Sequence, residues 1–439
     1  MKSLLKIIYD VVVGLQYGDE GKGKIAQKLA LIPGLYQISA RFNGGPNAGH
    51  TVFHEGKKLV LHVVPVGILA RLRVNFIGPG CVVDPVLLKA EVEGIKALGF
   101  DSKTIYLSEL VHLITPYERK IDGEMNKRLG TTCKGIGPTY AHKAHRIGLR
   151  VVDVFYLLSS NGTEDYSDIE MLEQFIMSYP LSLMPIYRQD WLSASEESLK
   201  EWAEAVQWLG ENISIAKANF FLSDGEARKI FSERKSVRVL AEGAQSVMLD
   251  NTYGTYPYVT SSNCMPSSAP AGIGLPGFAT KGRVIGVFKA YNTRVGSGPF
   301  DTELLYGSGD LICEAGKEFG STTGRKRRIG WLDLPDLQYA CELAGVDELF
   351  MTKVDVLSPG VTGSVSVCFS KGGGVATYKQ FDAWDSSHIK RDTDITGSFR
   401  SFLDLVEEHL GIHVETVSVG PNANDLVRTK PTPEGVGYR

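Results

Sequence analysis

The sequence lacks several features that would place it in a specialised class of protein. Its six cysteines form no CxxC pair, and their spacings match neither a zinc site nor a disulfide framework, so we expect reduced thiols in a cytoplasmic enzyme. No hydrophobic run approaches the roughly 18 residues of a membrane span. The formal net charge is −3, without the positive excess typical of nucleic-acid or membrane-surface binders. Anionic ligands would therefore be held by locally placed cations and backbone amides.

The length and the pattern of apolar residues favour one large enzyme. The chain has 439 residues, 43% of them hydrophobic, without an internal repeat, a low-complexity tract or an obvious linker. The apolar start over 1–14 is interrupted by Asp10 and runs into a glycine-rich loop, so we expect a buried strand rather than a signal peptide. Strand patterns such as 237–241 and 284–288 alternate with helix patterns, of which 195–209 is the clearest. This alternation predicts an α/β class with a mainly parallel sheet.

The same patterns predict how the chain is organised. We expect a single domain over 1–439, with a large central sheet flanked by helices and smaller appended subdomains. A largely helical insertion is expected over about 110–235. Two alternating segments around the glycines at 372–374 predict a hairpin, so we expect a small hairpin-containing subdomain over about 357–400.

A glycine-rich loop between a predicted strand and a predicted helix is the first candidate site. Residues 18–24 contain three glycines, which can aim successive amides at one point, and the helix start with Lys22 or Lys24 adds positive charge. Such a loop is suited to phosphate, although Ile25 departs from the standard GxxxxGK[ST] motif and a plain turn with solvated lysines stays an alternative. Asp19 is unusual here, because phosphate repels a carboxylate unless it binds Mg²⁺ or handles a proton.

Two further segments extend the candidate site. Residues 43–51 form a second glycine-rich loop that ends beside His50, although a plain turn with a surface histidine would look similar. A basic run over 324–328 follows two threonines and a glycine, which favours an anion site over a solvated face. Two glycine loops, an acid, an imidazole and a cluster of arginines together indicate phosphoryl transfer, which mainly needs positioning and charge stabilisation.

Taken together, these segments resemble the adenylosuccinate synthetase family. The shared motifs are QYGDEGKGK at 16–24, GGPNAGHT at 44–51, GTTCKGIGPTY at 130–140, the arginine segment at 146–151, EGAQSVMLD at 242–250, GTYPYVTSSN at 254–263, KAYNTRVGSGPFDTEL at 289–304, FGSTTGRKRRIGWLD at 319–333, TKVDVL at 352–357 and SVGP at 418–421. The resemblance implies a P-loop-NTPase-like fold and a cytoplasmic homodimeric ligase. Such an enzyme uses GTP to join IMP and L-aspartate in the first committed step of AMP synthesis, without a nucleic-acid or membrane partner.

The resemblance also implies catalytic roles. Asp19 would take the proton from N1 of IMP, so that O6 attacks the γ-phosphate of GTP and forms a 6-phosphoryl intermediate. The amine of aspartate would then displace phosphate. Asp19 and the backbone carbonyl of Gly49 would hold one Mg²⁺ per active site, since this cation prefers oxygen ligands. His50 would act as the acid beside the transferring phosphoryl group, with Gln245 at the purine.

The binding residues implied by the resemblance fall into three groups. For GTP they are Gly18, Glu20, Gly21, Lys22, Gly23, Lys24, Gly49, Thr51, Arg327, Lys353, Asp355, Ser418 and Gly420. For IMP they are Asn47, Thr132, Gln245, Thr260, Arg325 and Arg146, the last reaching across a dimer interface. For aspartate they are Thr322, Thr323 and Arg325. The Asp355 carboxylate can accept hydrogen bonds from guanine N1–H and the 2-amino group, which would favour GTP over ATP.

Some positions depart from the family pattern and keep alternatives open. Pro46 stands where the family usually has histidine, Ser246 stands where glycine is common, and 357–399 is shorter and lacks a Pro-Gly-Trp segment. The alternatives are the same chemistry on a 2-amino purine monophosphate, a GTP-binding regulatory protein, and a catalytically silent relative. Asp19 opposes the first, because a carboxylate near N1 would crowd a 2-amino group. Dependence of phosphate release on both IMP and aspartate would separate the ligase from the second.

Overall fold

The computed structural model describes most of the chain, namely residues 5–54, 56–129, 131–160, 195–222, 224–305, 307–320, 324–372, 375–422 and 424–430. The strands within these residues are β1 (Lys6–Gly14), β2 (Ile38–Arg41), β3 (His50–His54), β4 (Lys57–Leu61), β5 (Val74–Ile77), β6 (Val82–Val83), β7 (Ile105–Ser108), β8 (His112–Leu113), β9 (Ser214–Ala216), β10 (Ser236–Ser246), β11 (Thr280–Lys289), β12 (Tyr291–Arg294), β13 (Arg328–Asp333), β14 (Glu348–Thr352), β15 (Ser364–Gly372), β16 (Val375–Asp382), β17 (Val414–Ser418) and β18 (Leu426–Arg428).

The described strands include a ten-stranded central sheet. Its spatial order is β18-β17-β14-β11-β1-β10-β2-β5-β7-β9, and all neighbouring pairs are parallel except β17 with β18. A smaller sheet has the order β12-β13-β15-β16, while β3 pairs with β4 and β6 pairs with β8. The predicted α/β class with a large, mainly parallel sheet is confirmed.

Helices cover the sheet and fill the segments between its strands. Within the described ranges they are α1 (Lys22–Ala30), α2 (Pro85–Ala97), α3 (Pro116–Leu129), α4 (Ile136–His145), α5 (Val151–Ser160), α6 (Glu196–Asn212), α7 (Glu226–Ile230), α8 (Ala269–Ile273), α9 (Ser308–Gly316), α10 (Leu334–Ala344) and α11 (Gly397–Leu410). None of the helices in the described part of the chain combines the length and apolar character needed to cross a bilayer.

The central strand shows why the sheet is buried on both faces. Successive side chains of a strand point to opposite faces, and β1 carries the run Val11, Val12 and Val13. Val11 and Val13 pack in one hydrophobic core and Val12 in the other, each at most 1% exposed. Burying one such side chain contributes roughly 1.5–3 kcal/mol. The continuous apolar pattern of β1 therefore places it between two layers of helices.

Helix boundaries follow from local capping chemistry. The side chain of Asp84 accepts from the amides of Val86 and Leu87, with Pro85 as the first residue of α2. Ser195 caps α6 by accepting from the amide of Ser198. The predicted helix at 195–209 is therefore confirmed and extends slightly further.

The segments predicted to form subdomains contain the following elements. Helices α3–α7 lie within the expected insertion at about 110–235, but β9 of the same segment completes the central sheet. Part of that insertion, 161–194, lies outside the described residues. The predicted hairpin is observed as the antiparallel pair β15 and β16. The division into subdomains stays a prediction.

Candidate active site

Several predicted site residues lie at or just after the ends of strands, at one edge of the central sheet. Because neighbouring strands β1, β10, β11, β14 and β17 are parallel, their carboxyl ends meet at the same edge. The loop after β1 carries Asp19, and β10 ends at the residue after Gln245. Lys353 follows β14 directly, and Ser418 is the last residue of β17. Segments far apart in the chain therefore form one site.

The loop after β1 has the geometry of an anion cradle. Gly18 and Gly21 have φ values of 91° and 84°, which glycine adopts without strain. Gly21 is the residue before α1, so the free amides of that helix start face the loop. A Cβ atom on Gly23 would lie 2.8 Å from the Cβ of His50, which brings the second loop against the first. These contacts place His50 beside the loop over 18–24, which we call the phosphate loop.

Glu20 stabilises this loop from inside. Its carboxylate is fully buried and accepts from the amide of Gly18 at 2.9 Å and from Lys22 Nζ at 2.6 Å. Burial opposes ionisation, but the Lys22 ammonium holds the pKa of Glu20 below its ordinary value. The sequence led us to expect contacts of Glu20 and Lys22 with GTP. In the structure their charged groups bind each other, and the backbone amides carry the cradle.

Four predicted site residues have unusual backbone conformations. Seven non-glycine residues in the described ranges have positive φ, and they include Asp19 at 62°, Arg146 at 63°, Gln245 at 52° and Lys353 at 64°. This conformation costs a non-glycine residue about 1–3 kcal/mol and is concentrated at functional sites. The coincidence of backbone strain with the predicted site supports the assignment of these residues.

His50 belongs to a buried triad that the sequence interpretation did not assign. Its Nδ1 makes a short contact with Glu242 Oε1, and a guanidinium nitrogen of Arg41 lies 3.0 Å from the same ring nitrogen. The other carboxylate oxygen of Glu242 accepts from the amide of Val66 at 3.0 Å. Glu242 opens the motif that contains Gln245, and an acid at the end of β10 was the signal that could have identified it.

The triad sets the protonation state of His50. Burial, together with the Arg41 guanidinium, lowers the pKa of His50 to about 4, whereas Glu242 acts in the opposite direction. Contacts with His50 and Arg41 hold the pKa of Glu242 below its ordinary value despite burial. The neutral ring therefore donates from Nδ1 to Glu242 and leaves Nε2 as an acceptor, until added negative charge favours the imidazolium.

Three buried polar atoms on predicted site residues have neither a hydrogen bond nor an ion pair within the described structure. They are Asn47 Oδ1, His50 Nε2 and Gln245 Oε1. Leaving such an atom unpaired costs about 1–3 kcal/mol, so each indicates a position for a ligand group or water. A Cβ atom on Gly44 would lie 3.1 Å from Gln245 Oε1, which shows how closely the second glycine loop approaches that amide.

Asp19 faces arginine in this structure. Its Oδ2 lies 2.8 Å from Arg327 Nε, and Arg327 also pairs with Glu318. Glu318 is fully buried and accepts from Tyr291 Oη at 2.7 Å and from Lys289 Nζ at 3.3 Å. Although burial opposes ionisation, the surrounding cations hold the pKa of Glu318 down to about 2. Glu318 and Lys289 were not predicted, and they hold Arg327 against the phosphate loop.

Ser246, one of the departures from the family pattern, also supports the phosphate loop. Its hydroxyl accepts from the amide of Gly18 at 2.9 Å and donates to the carbonyl of Gln16 in a short hydrogen bond. Its side chain is buried, and it immediately follows Gln245. The serine therefore connects the two segments that carry Asp19 and Gln245.

The predicted base pocket lies at the ends of β14 and β17. Lys353 Nζ donates to the carbonyl of Gly316 at 2.6 Å, and Asp355 is half-buried in the following 3₁₀ turn. Burial raises the pKa of Asp355, while Lys353 opposes the rise. Lys24 Nζ lies at this pocket, 2.7 Å from Ser418 Oγ and 2.6 Å from the carbonyl oxygen of Gly420. Lys24 was expected in the phosphate cradle, so its position differs from the expectation.

The remaining predicted contact residues differ in their exposure to solvent. Arg146 is exposed at the end of α4, and Arg325 is exposed before β13. Thr132 and Thr260 are half-buried, and the amide of Thr260 donates to Leu249 at 2.8 Å. Gly49 and Thr51 flank His50 at the start of β3. The two threonines expected to bind aspartate, Thr322 and Thr323, lie outside the described residues.

An amide cradle at a helix start, with an acid and an imidazole at the carboxyl edge of a parallel sheet, defines a nucleotide-dependent enzyme of the P-loop type. The family model for adenylosuccinate synthetase matches residues 11–427, and the chain therefore belongs to the adenylosuccinate synthetase family. It is a ligase of that family, whose reaction is the GTP-dependent joining of IMP and L-aspartate.

Individual relatives are similar in sequence to this chain over nearly its whole length. The adenylosuccinate synthetase of Bacteroides thetaiotaomicron is 39% identical over 435 residues, which cover 94% of this chain and 97% of that relative. The adenylosuccinate synthetase of Porphyromonas gingivalis is 40% identical over 439 residues, which cover 95% of this chain and 98% of that relative. These matches do not favour a GTP-binding regulatory protein.

Two solved structures share the fold. The fully ligated adenylosuccinate synthetase of Plasmodium falciparum superposes with a TM-score of 0.80 at 30% identity, covering 96% of this chain and 99% of that chain. The succinoaminodeoxyadenylate synthetase of cyanophage S-2L, bound to dGMP and dATP, has a TM-score of 0.64 at 20% identity. The match covers 98% of this chain and 96% of that chain. The second likeness concerns the fold alone.

Proposed function

We propose that this chain joins IMP to L-aspartate at the expense of GTP, with Asp19 as the general base and His50 as the acid beside the transferring phosphoryl group. The observation that carries the proposal is the set of unpartnered buried atoms on Asn47, His50 and Gln245, next to the amide cradle that holds Asp19. A polar ligand with several hydrogen-bonding atoms would satisfy them. A purine monophosphate beside a triphosphate has this chemistry.

The first chemical step assigned to the site is proton removal. The Asp19 carboxylate accepts the N1 proton of IMP, and the electron pair moves to O6, which attacks the γ-phosphorus of GTP as GDP leaves. The amine of aspartate then attacks C6, and phosphate departs. Asp19 is half-buried, and its side chain faces Arg327.

His50 and Glu242 form the acid side of the site. Once the negative charge of the transferring group lies near Nε2, the imidazolium form gains a partner on each nitrogen, the phosphoryl oxygen on one side and Glu242 on the other. The charge developing on the phosphoryl oxygens is then stabilised by a fixed donor. Glu242 acts through His50 and is therefore a positioning residue.

A divalent cation fits the oxygen donors at Asp19 and Gly49. No cluster of three His, Cys, Asp or Glu residues able to hold a metal occurs in the described ranges. Mg²⁺ commonly uses one or two carboxylates with substrate phosphates and water, so the half-exposed Asp19 carboxylate and the Gly49 carbonyl suit it. Bound there, Mg²⁺ would neutralise triphosphate charge. We propose one such ion per site.

The direct test measures formation of the N6-succinyl product by absorbance. Wild-type enzyme is expected to form product with IMP, aspartate and GTP together, and not when any one is omitted. Replacement of IMP by dGMP, or of GTP by ATP, is expected to reduce the rate. Product formation with dGMP at a rate equal to that with IMP would instead favour the 2-amino purine alternative.

The base is tested with Asp19→Asn, which keeps the shape of the side chain and removes its basicity. We expect turnover to fall by about 10²–10⁴-fold, the usual contribution of general base catalysis. Binding of GTP measured by calorimetry without Mg²⁺ should largely survive, because the backbone amides of the cradle are unchanged and no metal ligand is tested. Near wild-type synthesis by this variant would refute the assignment.

A further inference from the structure

The side chain of Lys24 points away from the phosphate cradle. Its Nζ donates to Ser418 Oγ at 2.7 Å and to the carbonyl of Gly420 at 2.6 Å, with the carbonyl of Asp425 at 3.4 Å. Lys24 lies in the first turn of α1, whereas these acceptors lie about 400 residues later, at the end of β17 and in the turn that leads to β18. The ammonium group therefore connects the first helix with the last hairpin of the central sheet.

This ammonium group has its donors engaged. A lysine offers three N–H donors, and three acceptors surround Nζ. The side chain is only 8% exposed, and burial lowers the pKa of Lys24 to about 8. A buried cation held by neutral oxygens depends on those hydrogen bonds, because an unpaired buried ammonium is strongly disfavoured. Turning it towards a phosphate would break all of these contacts.

The segment that Lys24 holds is closely packed. A Cβ atom on Gly420 would lie 2.6 Å from Asp425 Oδ2, and the same carboxylate oxygen accepts from the amide of Asn422 at 2.7 Å. The Asp425 carbonyl accepts from Val419 at 2.9 Å. The only cation that donates to Ser418 and Gly420 within the described contacts is Lys24. Its loss would therefore leave the two residues expected to contact guanine with fewer hydrogen bonds, and the bond from Ser418 Oγ to the Gly420 carbonyl at 3.1 Å would be among those that remain.

Asp355 and Lys353, the residues expected to bind guanine, are close enough to interact electrostatically with the Lys24 ammonium. The carboxylates of Asp425 and Asp355 favour the charged form of Lys24, while Lys353 opposes it. Asp355 is the residue expected to accept from guanine N1–H and the 2-amino group. The pocket is thus bounded by Asp355 on one strand end and by the Ser418–Gly420 turn on the next, with Lys24 anchoring the turn.

We propose that Lys24 is a positioning residue for guanine selection, and that it anchors Ser418 and Gly420 at the purine base instead of binding the triphosphate. The inference rests on the proposed use of GTP by this chain. It assigns to the two lysines of the phosphate loop different tasks: Lys22 stabilises the loop through Glu20, and Lys24 stabilises the base pocket.

The test measures binding of the base and binding of the phosphates in separate experiments. Variants Lys24→Met and Lys24→Arg are compared with Lys28→Met, which alters an exposed lysine on the same helix. Calorimetry in saturating IMP measures GTP, guanosine and inorganic tripolyphosphate. For K24M we expect guanosine and GTP to bind at least about tenfold more weakly, as for the loss of one or two charged hydrogen bonds, with tripolyphosphate unchanged.

The arginine variant keeps the charge but changes the geometry. A planar guanidinium does not reproduce the three-acceptor arrangement of an ammonium, so K24R is also expected to weaken guanosine and GTP while tripolyphosphate binding stays unchanged. K28M should bind all three probes like the wild type. If K24M fails to fold, as judged by circular dichroism, K24R decides the question with the same three probes.

Two results would overturn the proposal. Weaker binding of tripolyphosphate and GTP with unchanged guanosine would make Lys24 a phosphate ligand, and unchanged binding of all three would make its contacts irrelevant to GTP. In turnover assays K24M should raise the KM for GTP and leave kcat within about threefold, since the phosphoryl-transfer residues are intact. Failure of the proposed function would be visible separately, as absence of product from wild-type enzyme that still binds guanosine.

Discussion

At the scale of single residues, neighbouring charges control the protonation state of the active-site histidine. His50 is buried beside Glu242 and Arg41, and its low pKa favours the neutral ring near pH 7. A phosphoryl group arriving at Nε2 supplies the negative charge that makes the imidazolium favourable. The glutamate on Nδ1 then compensates the positive charge from the other side, so the acid becomes available when substrate is bound.

The variant Glu242→Gln tests this arrangement. Removing the carboxylate charge lowers the pKa of His50, so the fraction of imidazolium falls. We expect kcat to fall by about 10²–10³-fold, within the range of general acid catalysis, and the decline of kcat at high pH to move to lower pH. The measurement is kcat against pH at saturating substrates.

The control for this variant is a conservative change at the same position. Glu242→Asp keeps the charge at a greater distance and should recover part of the activity and part of the pH profile. A purely structural role for Glu242 would reduce the amount of folded enzyme without moving the pH profile. An E242Q profile that superposes on that of the wild type would therefore contradict the positioning role.

The hydroxyl of Ser246 is a second single-residue feature. Ser246→Ala leaves the buried Gln16 carbonyl without its donor, whereas the Gly18 amide keeps its hydrogen bond to Glu20. We expect the free energy of unfolding to fall by about 1–3 kcal/mol, the cost of one unpaired buried polar group. Urea unfolding measures this, with the exposed Ser267→Ala as the matched control. Equal stability of the two variants would show that the bridge contributes little.

At the scale of elements, helix α3 holds the segment that carries Thr132. The amide of Gly135 donates to Asp122 Oδ2 at 2.9 Å, and His142 Nδ1 lies 2.9 Å from Glu118 Oε1. Two carboxylates of one helix thereby fix the start and the middle of α4. Since Arg146 directly follows the last residue of α4, this helix pair positions the backbone of the residue expected to cross the dimer interface.

Strand β8 next to this helix pair contains a histidine with a large pKa shift. Burial, together with Lys143 and Arg150, lowers the pKa of His112 to about 4, and its Nδ1 has no partner among the described groups. In the unfolded chain His112 binds a proton below about pH 6.5, whereas in the folded chain it does so only near pH 4. Stability is therefore lost as pH falls through this window.

His112→Gln should reduce this acid sensitivity. We expect the loss of unfolding free energy between pH 7 and pH 5 to be about 2 kcal/mol smaller in the variant than in the wild type. Urea denaturation at the two pH values measures both losses. The same pH dependence in both proteins would show that His112 titrates normally in the folded state.

At the scale of the whole molecule, the site draws on nearly the full length of the chain. Asp19 follows β1, whereas Gln245 and Ser418 lie at the ends of β10 and β17. These positions are separated by more than 150 residues each, and the parallel sheet brings them to one edge. The exposed Arg146 lies at the end of α4, and we propose that a second copy of the chain receives it at the IMP site. A homodimer would then be required for activity.

Mixing two inactive variants tests whether the site is shared. Asp19→Asn and Arg146→Leu are each expected to be nearly inactive. In a heterodimer of the two, one site combines an intact Asp19 with an intact Arg146, so random mixing should restore about a quarter of wild-type activity. Sedimentation of the mixture verifies the dimer. No recovery in a mixture that contains heterodimers would mean that Arg146 acts within its own subunit.

Much of the molecule follows from the sequence alone. The valine run of β1, the glycine spacing of the loop before α1 and the stripe of α6 are local patterns, and each predicted the element that is observed. The location of the site was also accessible, because glycine loops after buried strands must meet at the carboxyl edge of a parallel sheet. The family motifs added roles for individual positions.

Only the tertiary structure decided where the charged side chains point. Lys22 and Lys24 are two residues apart in one motif, yet one binds Glu20 and the other reaches the last hairpin. Glu242 reaches His50 across 192 positions of the chain. A sequence pattern records spacing along one element, whereas the partner of a long buried charge is set by whichever distant group satisfies its hydrogen bonds after the strands have paired.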